Sequence, residues 1–228
     1  MSVLLTWLLA AAILLGVLGV WYLSYLADKQ RREAMASLAA SRGWSYTARD
    51  DRWNDRFLGS PFGLGHSRRS TNVLTGQHDG RPFVAFDYVY YTTESSAGGK
   101  GRRQVPHPFY VVAIDMGASF PPLEVSPENF LERFVGRLTN RDIELESEDF
   151  NRAFTVTCPD RKFASDVLHP RMMQLLLRTP GAGFRFDRRW AIHVDLGTVA
   201  LDGIVPRLRR VDAIVDQIPD FVWKQVKP

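Results

Sequence analysis

The chain has very little that could cross-link or ligate. It contains a single cysteine, Cys158, so no disulfide can form within it and no cysteine-based metal site is available. Its five histidines, His66, His78, His107, His169 and His193, show no H-E-x-x-H pattern and no close pair, so nothing in the spacing suggests zinc. No Asn-x-Ser/Thr acceptor occurs. No G-x-S-x-G elbow is present, and Gly98-Gly99-Lys100-Gly101 lacks both the spacing and the hydroxyl of a phosphate loop. The GSPFGLG run from Gly59 to Gly65 departs from the dinucleotide fingerprint. No catalytic, cofactor-binding or metal residue is nominated, and no cofactor is expected. A lone thiol on an apolar strand reads as a small core residue.

Charge is missing from one place in particular. Val3 to Leu26 reads VLLTWLLAAAILLGVLGVWYLSYL, without a charged side chain. At ~1.5 Å per residue a helix of this length crosses a hydrocarbon core of ~30 Å. Trp7 lies near one end and Trp21, Tyr22 and Tyr25 near the other, where amphipathic rings favour the headgroup zone. A cleaved signal peptide would have a basic start, a shorter apolar run and a small-residue exit. Here the exit is bulky. The expectation is an uncleaved span that contacts the bilayer through residues 3–26. Lys29, Arg31, Arg32 and Arg42 follow it and no Lys or Arg precedes it, which places the large domain on the cytoplasmic side.

The remainder is long enough for one domain. Of 228 residues, 45% are hydrophobic and 12% aromatic, which supports a proper core. The expected organisation is an anchor at 1–27, a juxtamembrane helix at 28–43 and a soluble α+β domain at 44–228. Ala34, Met35, Leu38 and Ala39 give the neck an apolar stripe, Arg31 and Arg32 count as polar, and Gly43 is the natural stop. Asp79-Gly80 between two strand-like runs predicts a hairpin. With Val105–Met116 as the next strand, this predicts an antiparallel meander covered on both faces. Ser95–Gln104 is a glycine-rich polar loop, and Pro121–Val125 a short extended piece. Ser126-Pro127-Glu128 predicts a helix start with Phe130, Leu131, Phe134, Val135 and Leu138 inward. Strands are expected at Ile143–Glu146 and Phe154–Cys158. Helices are expected at Asp160–Leu168, Pro170–Arg178 and Leu208–Ile218, and a late hairpin at Phe184–Phe186 with Trp190–Leu196.

Net charge is +4, carried overwhelmingly by arginine in scattered pairs balanced by acidic segments such as Asp142–Asp149. This reads as solvated surface rather than a nucleic-acid footprint. Lys100, Arg102 and Arg103 in the loop are the candidate contact to headgroups or to an acidic partner. Asp87 and Asp115 sit inside the most hydrophobic strands, where a carboxylate is perturbed for function, faces solvent on an exposed sheet face or pairs with arginine.

These features describe a membrane-anchored interaction or regulatory module, with a protein partner at the membrane. The alternatives are a membrane-bound enzyme whose site would gather Asp87, Asp115, Cys158 and His193, or a sensor of anionic lipid surfaces. The N-terminal span, helical neck, aromatic meander, the FTVTCPD segment (Phe154–Asp160) and the terminal IPDFVW (Ile218–Trp223) together resemble uncharacterised bacterial membrane proteins classed as domains of unknown function. That resemblance implies a single-pass bacterial membrane protein and brings no catalytic residues with it.

Overall fold

The computed structural model describes residues 2–95, 101–127, 143–179, 181 and 183–226. The fold is α+β: a long apolar helix followed by an antiparallel sheet with helices packed on it.

Helix α1 (Ser2–Ser41) runs unbroken from the apolar stretch through the neck. Its first part is exposed, from Leu5 through Tyr25, whereas Met35 and Ala39 are buried in the domain. The helix closes at Gly43, whose φ of 66° needs no Cβ. The Trp44 N–H reaches back to the Ala39 carbonyl at 2.8 Å and the Gly43 N–H to that of Ala40 at 3.4 Å. This paired closure satisfies the orphan carbonyls of the last turn and delivers the chain directly into β1 (Ser45–Arg49).

After a 3₁₀ turn at Asp51–Trp53 come β2 (His66–His78), β3 (Arg81–Ser95) and β4 (Arg102–Pro127). Asp79 and Gly80 both have positive φ, as the tight β2–β3 hairpin requires. Then follow α2 (Glu148–Ala153), β5 (Phe154–Thr157), α3 (Arg161–Val167), α4 (Pro170–Leu177), β6 (Phe184–Leu196), a 3₁₀ turn at Leu201–Gly203, α5 (Ile204–Asp216) and α6 (Asp220–Gln225). The sheet order is β1-β2-β3-β4-β5, with β6 on the other edge of β4, and every pairing is antiparallel. Strand β4 is the spine. Its first half lies between β3 and β6; at its far end β5 replaces β3.

The two-residue period of the strands divides the core. Phe83 and Ala85 of β3 and Tyr110, Val112 and Ile114 of β4 face the helices. Val84, Phe86, Tyr88, Phe109 and Val111 face the other way, under Phe57 and Phe62 of the segment before β2. That segment is tied down by Asp187, which accepts the Leu58 N–H at 2.8 Å, and by Arg188, which donates to the Arg56 carbonyl.

Several sequence expectations change. Phe184–Phe186 and Trp190–Leu196 are one strand, not a hairpin. Both halves pair with β4, and Arg188 at φ 57° marks an irregularity opposite the one between Asp115 and Phe120. The polar Asp187–Arg189 run that imitates a turn is polar because it holds neighbouring chain. Pro121–Val125 is the end of β4. Ser126 lies in that strand opposite Thr155 rather than capping a helix; the helix expected after it falls outside the described residues. Ile143–Glu146 is not a strand, although the Ile143 N–H donates to the Val156 carbonyl. Helices α2 and α6 were not anticipated. Ser147 caps the first by accepting the Phe150 N–H.

Candidate functional site at the helix–sheet junction

Period two also fixes what lies beneath α1. Asp87 is four residues after Phe83 and two after Ala85, so its carboxylate falls on the helix-facing side of β3. Position 31 of α1 lies one turn before Met35 and two before Ala39, so Arg31 shares their inward stripe. The two charges meet. Arg31 Nη2 lies 3.0 Å from Asp87 Oδ1 and 3.1 Å from Oδ2, and Nε lies 3.3 Å from Oδ2. Nη1 donates to the Val199 carbonyl at 2.9 Å.

The carboxylate is held from the other side as well. Asn72 Nδ2 donates to Asp87 Oδ2 at 2.8 Å, and the Tyr46 hydroxyl donates to Asn72 Oδ1 at 2.9 Å. Asn72 sits at a register shift of β2 with φ 50°, a conformation that asparagine tolerates better than most residues. One network therefore joins α1, β1, β2, β3 and the segment before α5. Burial pushes the Asp87 carboxyl up from its usual range, and the bonds from Asn72 and Arg31 work against that push. Every hydrogen-bonding edge of the ion pair is engaged, the condition under which a desolvated charge pair fixes one geometry.

Helix α1 runs antiparallel to β3. Its end lies by Phe83, where Trp44 packs edge-on with ring centroids 4.7 Å apart, and Arg31 lies by Asp87. The β3–β4 hairpin thus extends toward the apolar end of α1. From Asp87 to Ser95 the strand advances ~26 Å, whereas Arg31 to Leu26 covers only ~7.5 Å of helix. Arg102 and Arg103 stand exposed on this hairpin opposite Ser95 and Glu94. Lys100 lies outside the described residues.

The four residues that an enzyme reading would gather are each engaged elsewhere. Asp87 belongs to the junction. Asp115 accepts the Gly117 N–H at 2.9 Å and pairs with Arg189 at 2.6 Å. Cys158 donates its thiol to the Asp160 carbonyl, and burial raises its pKa, the reverse of an activated thiolate. His193 is buried, with Nδ1 2.6 Å from the Gly183 carbonyl and Nε2 3.1 Å from Asp195 Oδ2. Burial works to raise the pKa of Asp195, but His193 and Arg207 together outweigh it and hold the group at about 2. His78, Asp79 and Asp212 bring donor atoms within 4.8 Å of one another. Asp212 already receives Arg81 Nη1, so this trio has one carboxylate committed.

Sequence reasoning missed the junction because Arg31 looks like one more basic residue flanking a span. The available signal was its i, i+4, i+8 alignment with Met35 and Ala39, together with an unexplained Asp in an apolar strand.

No protein-family model matches the chain, and no curated protein matches it in sequence. The domain-of-unknown-function assignment therefore gains no support. Among solved structures the fold is similar to the crystal structure of the mycobacterial trehalose monomycolate transport factor A, TtfA, with a TM-score of 0.58 over 82% of this chain and 92% of that one. Sequence identity is 16%, so the likeness establishes a shared architecture and nothing finer.

Proposed function

We propose that this is a single-span membrane protein in which residues 1–27 anchor, 28–43 form a rigid neck, and 44–228 form a cytoplasmic interaction module serving a membrane transport process. The observation that carries the reading is the unbroken α1. One half presents exposed leucine, valine and tryptophan side chains, and the other half belongs to the domain core through Met35, Ala39 and Arg31. A cleaved leader has no need to share a helix and a buried ion pair with the body it releases. The shared architecture with the mycobacterial transport factor supports a transport-associated role.

The hairpin supports a second element of the same reading. Arg102 and Arg103 would lie on the membrane-facing end of the sheet, where each basic side chain gains ~1 kcal/mol beside an anionic leaflet. They would orient the body on the bilayer or meet an acidic partner there.

Photo-crosslinking in native membranes tests this, with the reactive side chain placed at Tyr22 or at Arg103 of the full chain. The expected product is a discrete adduct with an integral membrane transport protein. Adducts with lipid alone would favour the lipid-surface role. Protease added to spheroplasts should spare the body, and protease added to inverted vesicles should digest it; the opposite pattern would overturn the cytoplasmic placement.

A further inference from the structure

A buried arginine lies near the far end of β4, remote from the basic hairpin. Arg185 of β6 stands opposite Glu124, one position from the final Val125–Phe184 pair. It is 9% exposed. Its Nη1 donates to the Ser60 carbonyl at 3.0 Å, and its guanidinium carbon lies 5.7 Å from the Phe62 ring centre. Gly59 is what permits this approach, since a Cβ there would stand 2.6 Å from Nη1. The other edge of the guanidinium, Nε and Nη2, is buried with no hydrogen-bond partner among the described residues, and the same holds for the Ser60 hydroxyl.

Nε and Nη2 form the two-pronged fork that matches the two oxygens of a carboxylate or phosphate. Leaving it desolvated and empty is unfavourable, because a buried charge needs its donors satisfied. The nearby acids do not fill it. Glu124 lies 3.9 Å away on the Nη1 side and accepts from the Ser126 hydroxyl, while Asp187 holds the Leu58 N–H and Arg188. Ser60 and Arg185 both line a small cleft of about 40 Å³ whose other walls include Glu124, Ser126, Val125 and Phe184. A space of this size admits a few waters or one small anionic group, not a whole drug-sized molecule.

We propose that this cleft binds one carboxylate or phosphate monoester group through the Arg185 fork and the Ser60 hydroxyl, with the rest of the ligand lying outside the cleft. The proposal goes beyond the anchored-module reading and does not depend on it. The ligand's anion could come from a free metabolite or from a lipid headgroup; the chemistry recognised is the same.

The test uses the full chain in nanodiscs of zwitterionic lipid, with phenyl phosphate and benzoate as probes and phenol as the uncharged control. Saturation-transfer NMR should detect both anions on the wild-type protein and place phenol at least ~10-fold weaker. Arg185→Met should weaken anion binding by ~10–100-fold, Arg185→Lys by less because it keeps the charge without the fork, and Ser60→Ala by a few-fold. An unaltered circular-dichroism melt for Ser60→Ala and Arg185→Lys separates lost binding from lost folding. Adding phosphatidate to the discs distinguishes the sources. Displacement of phenyl phosphate assigns the site to a headgroup, and undiminished binding assigns it to a free molecule. Equal affinity of wild type and Arg185→Met, or phenol binding as well as phenyl phosphate, would overturn the proposal.

Discussion

Arg31 and Arg185 are two guanidinium groups brought into the same sheet under different terms. Arg31 has a carboxylate across one edge, a carbonyl on the other, and an asparagine holding the carboxylate in turn. Arg185 has one carbonyl and an aromatic face, and its Nε–Nη2 fork has no partner among the described residues. The contrast separates a charge that builds from a charge that waits. Saturated, a buried ion pair locks two elements at one geometry. Unsaturated, a buried cation lowers the stability of its own site and gains it back when an anion arrives.

Substitutions put numbers on that difference. The largest effect is expected at the saturated end. Asp87→Ala leaves Arg31 facing an apolar sheet without its counter-ion and should lower unfolding stability by about 3 kcal/mol in urea titrations of the full chain in micelles. The paired replacement Arg31→Met with Asp87→Leu should restore most of it. If the double variant is as unstable as the single one, the ion pair is not the source of the cost.

Next comes acid. Asp195 is ordinarily a carboxyl near 3.9, held in the fold at about 2 by His193 and Arg207. A depressed carboxyl contributes its full stability above its unfolded value. That contribution, on the order of 2 kcal/mol, is lost as pH falls from about 4 through about 2. Denaturation midpoints of wild type and Asp195→Asn should therefore converge across that window. A gap that stays constant from pH 5 to pH 2 would remove Asp195 from the account.

Gly59→Ala probes the unsaturated end directly. It forces a side chain onto a residue at φ 76° and into the Arg185 guanidinium. A loss of about 1–2 kcal/mol is expected, with the Arg31 junction untouched, as hydrogen exchange at β3 would show. The smallest effect is Arg185→Met. It exchanges an under-bonded cation for a thioether of similar reach, so stability should move by less than about 1 kcal/mol in either direction. A loss as large as that of Asp87→Ala would mean that Arg185 is structural.

The legible parts of the sequence were those governed by local rules. An uncharged run long enough for a bilayer, a glycine stop at Gly43, an Asp-Gly turn and alternating aromatics in β3 each carry their meaning within a few residues. So do the Asp160 start of α3 and Pro170 in the first turn of α4. What stayed hidden depends on distant partners. Trp190–Leu196 looks self-contained, and only the length of β4 explains why it continues from Phe184 without turning back. For Asp87 and Asp115 an arginine partner was one of three readings the sequence left open, and it could not be named, because Arg31 is 56 positions from the first and Arg189 is 74 from the second. The cleft depends on Gly59 and Ser60 lying over Arg185, 125 residues downstream of Ser60, and no local pattern encodes that crossing.

The closure at Gly43 leaves no slack between the apolar half of α1 and the body. A 40-residue helix is ~60 Å long, and under the proposed anchoring it would act as a lever with its fulcrum in the lipid. Spans tilt to suit the thickness of the membrane around them, and a change of about 10° about mid-span would swing the loaded arm, ~40 Å long, through roughly 7 Å. Local bilayer thickness would thus set where the body is held, and whichever neighbour it touches would be met or missed accordingly.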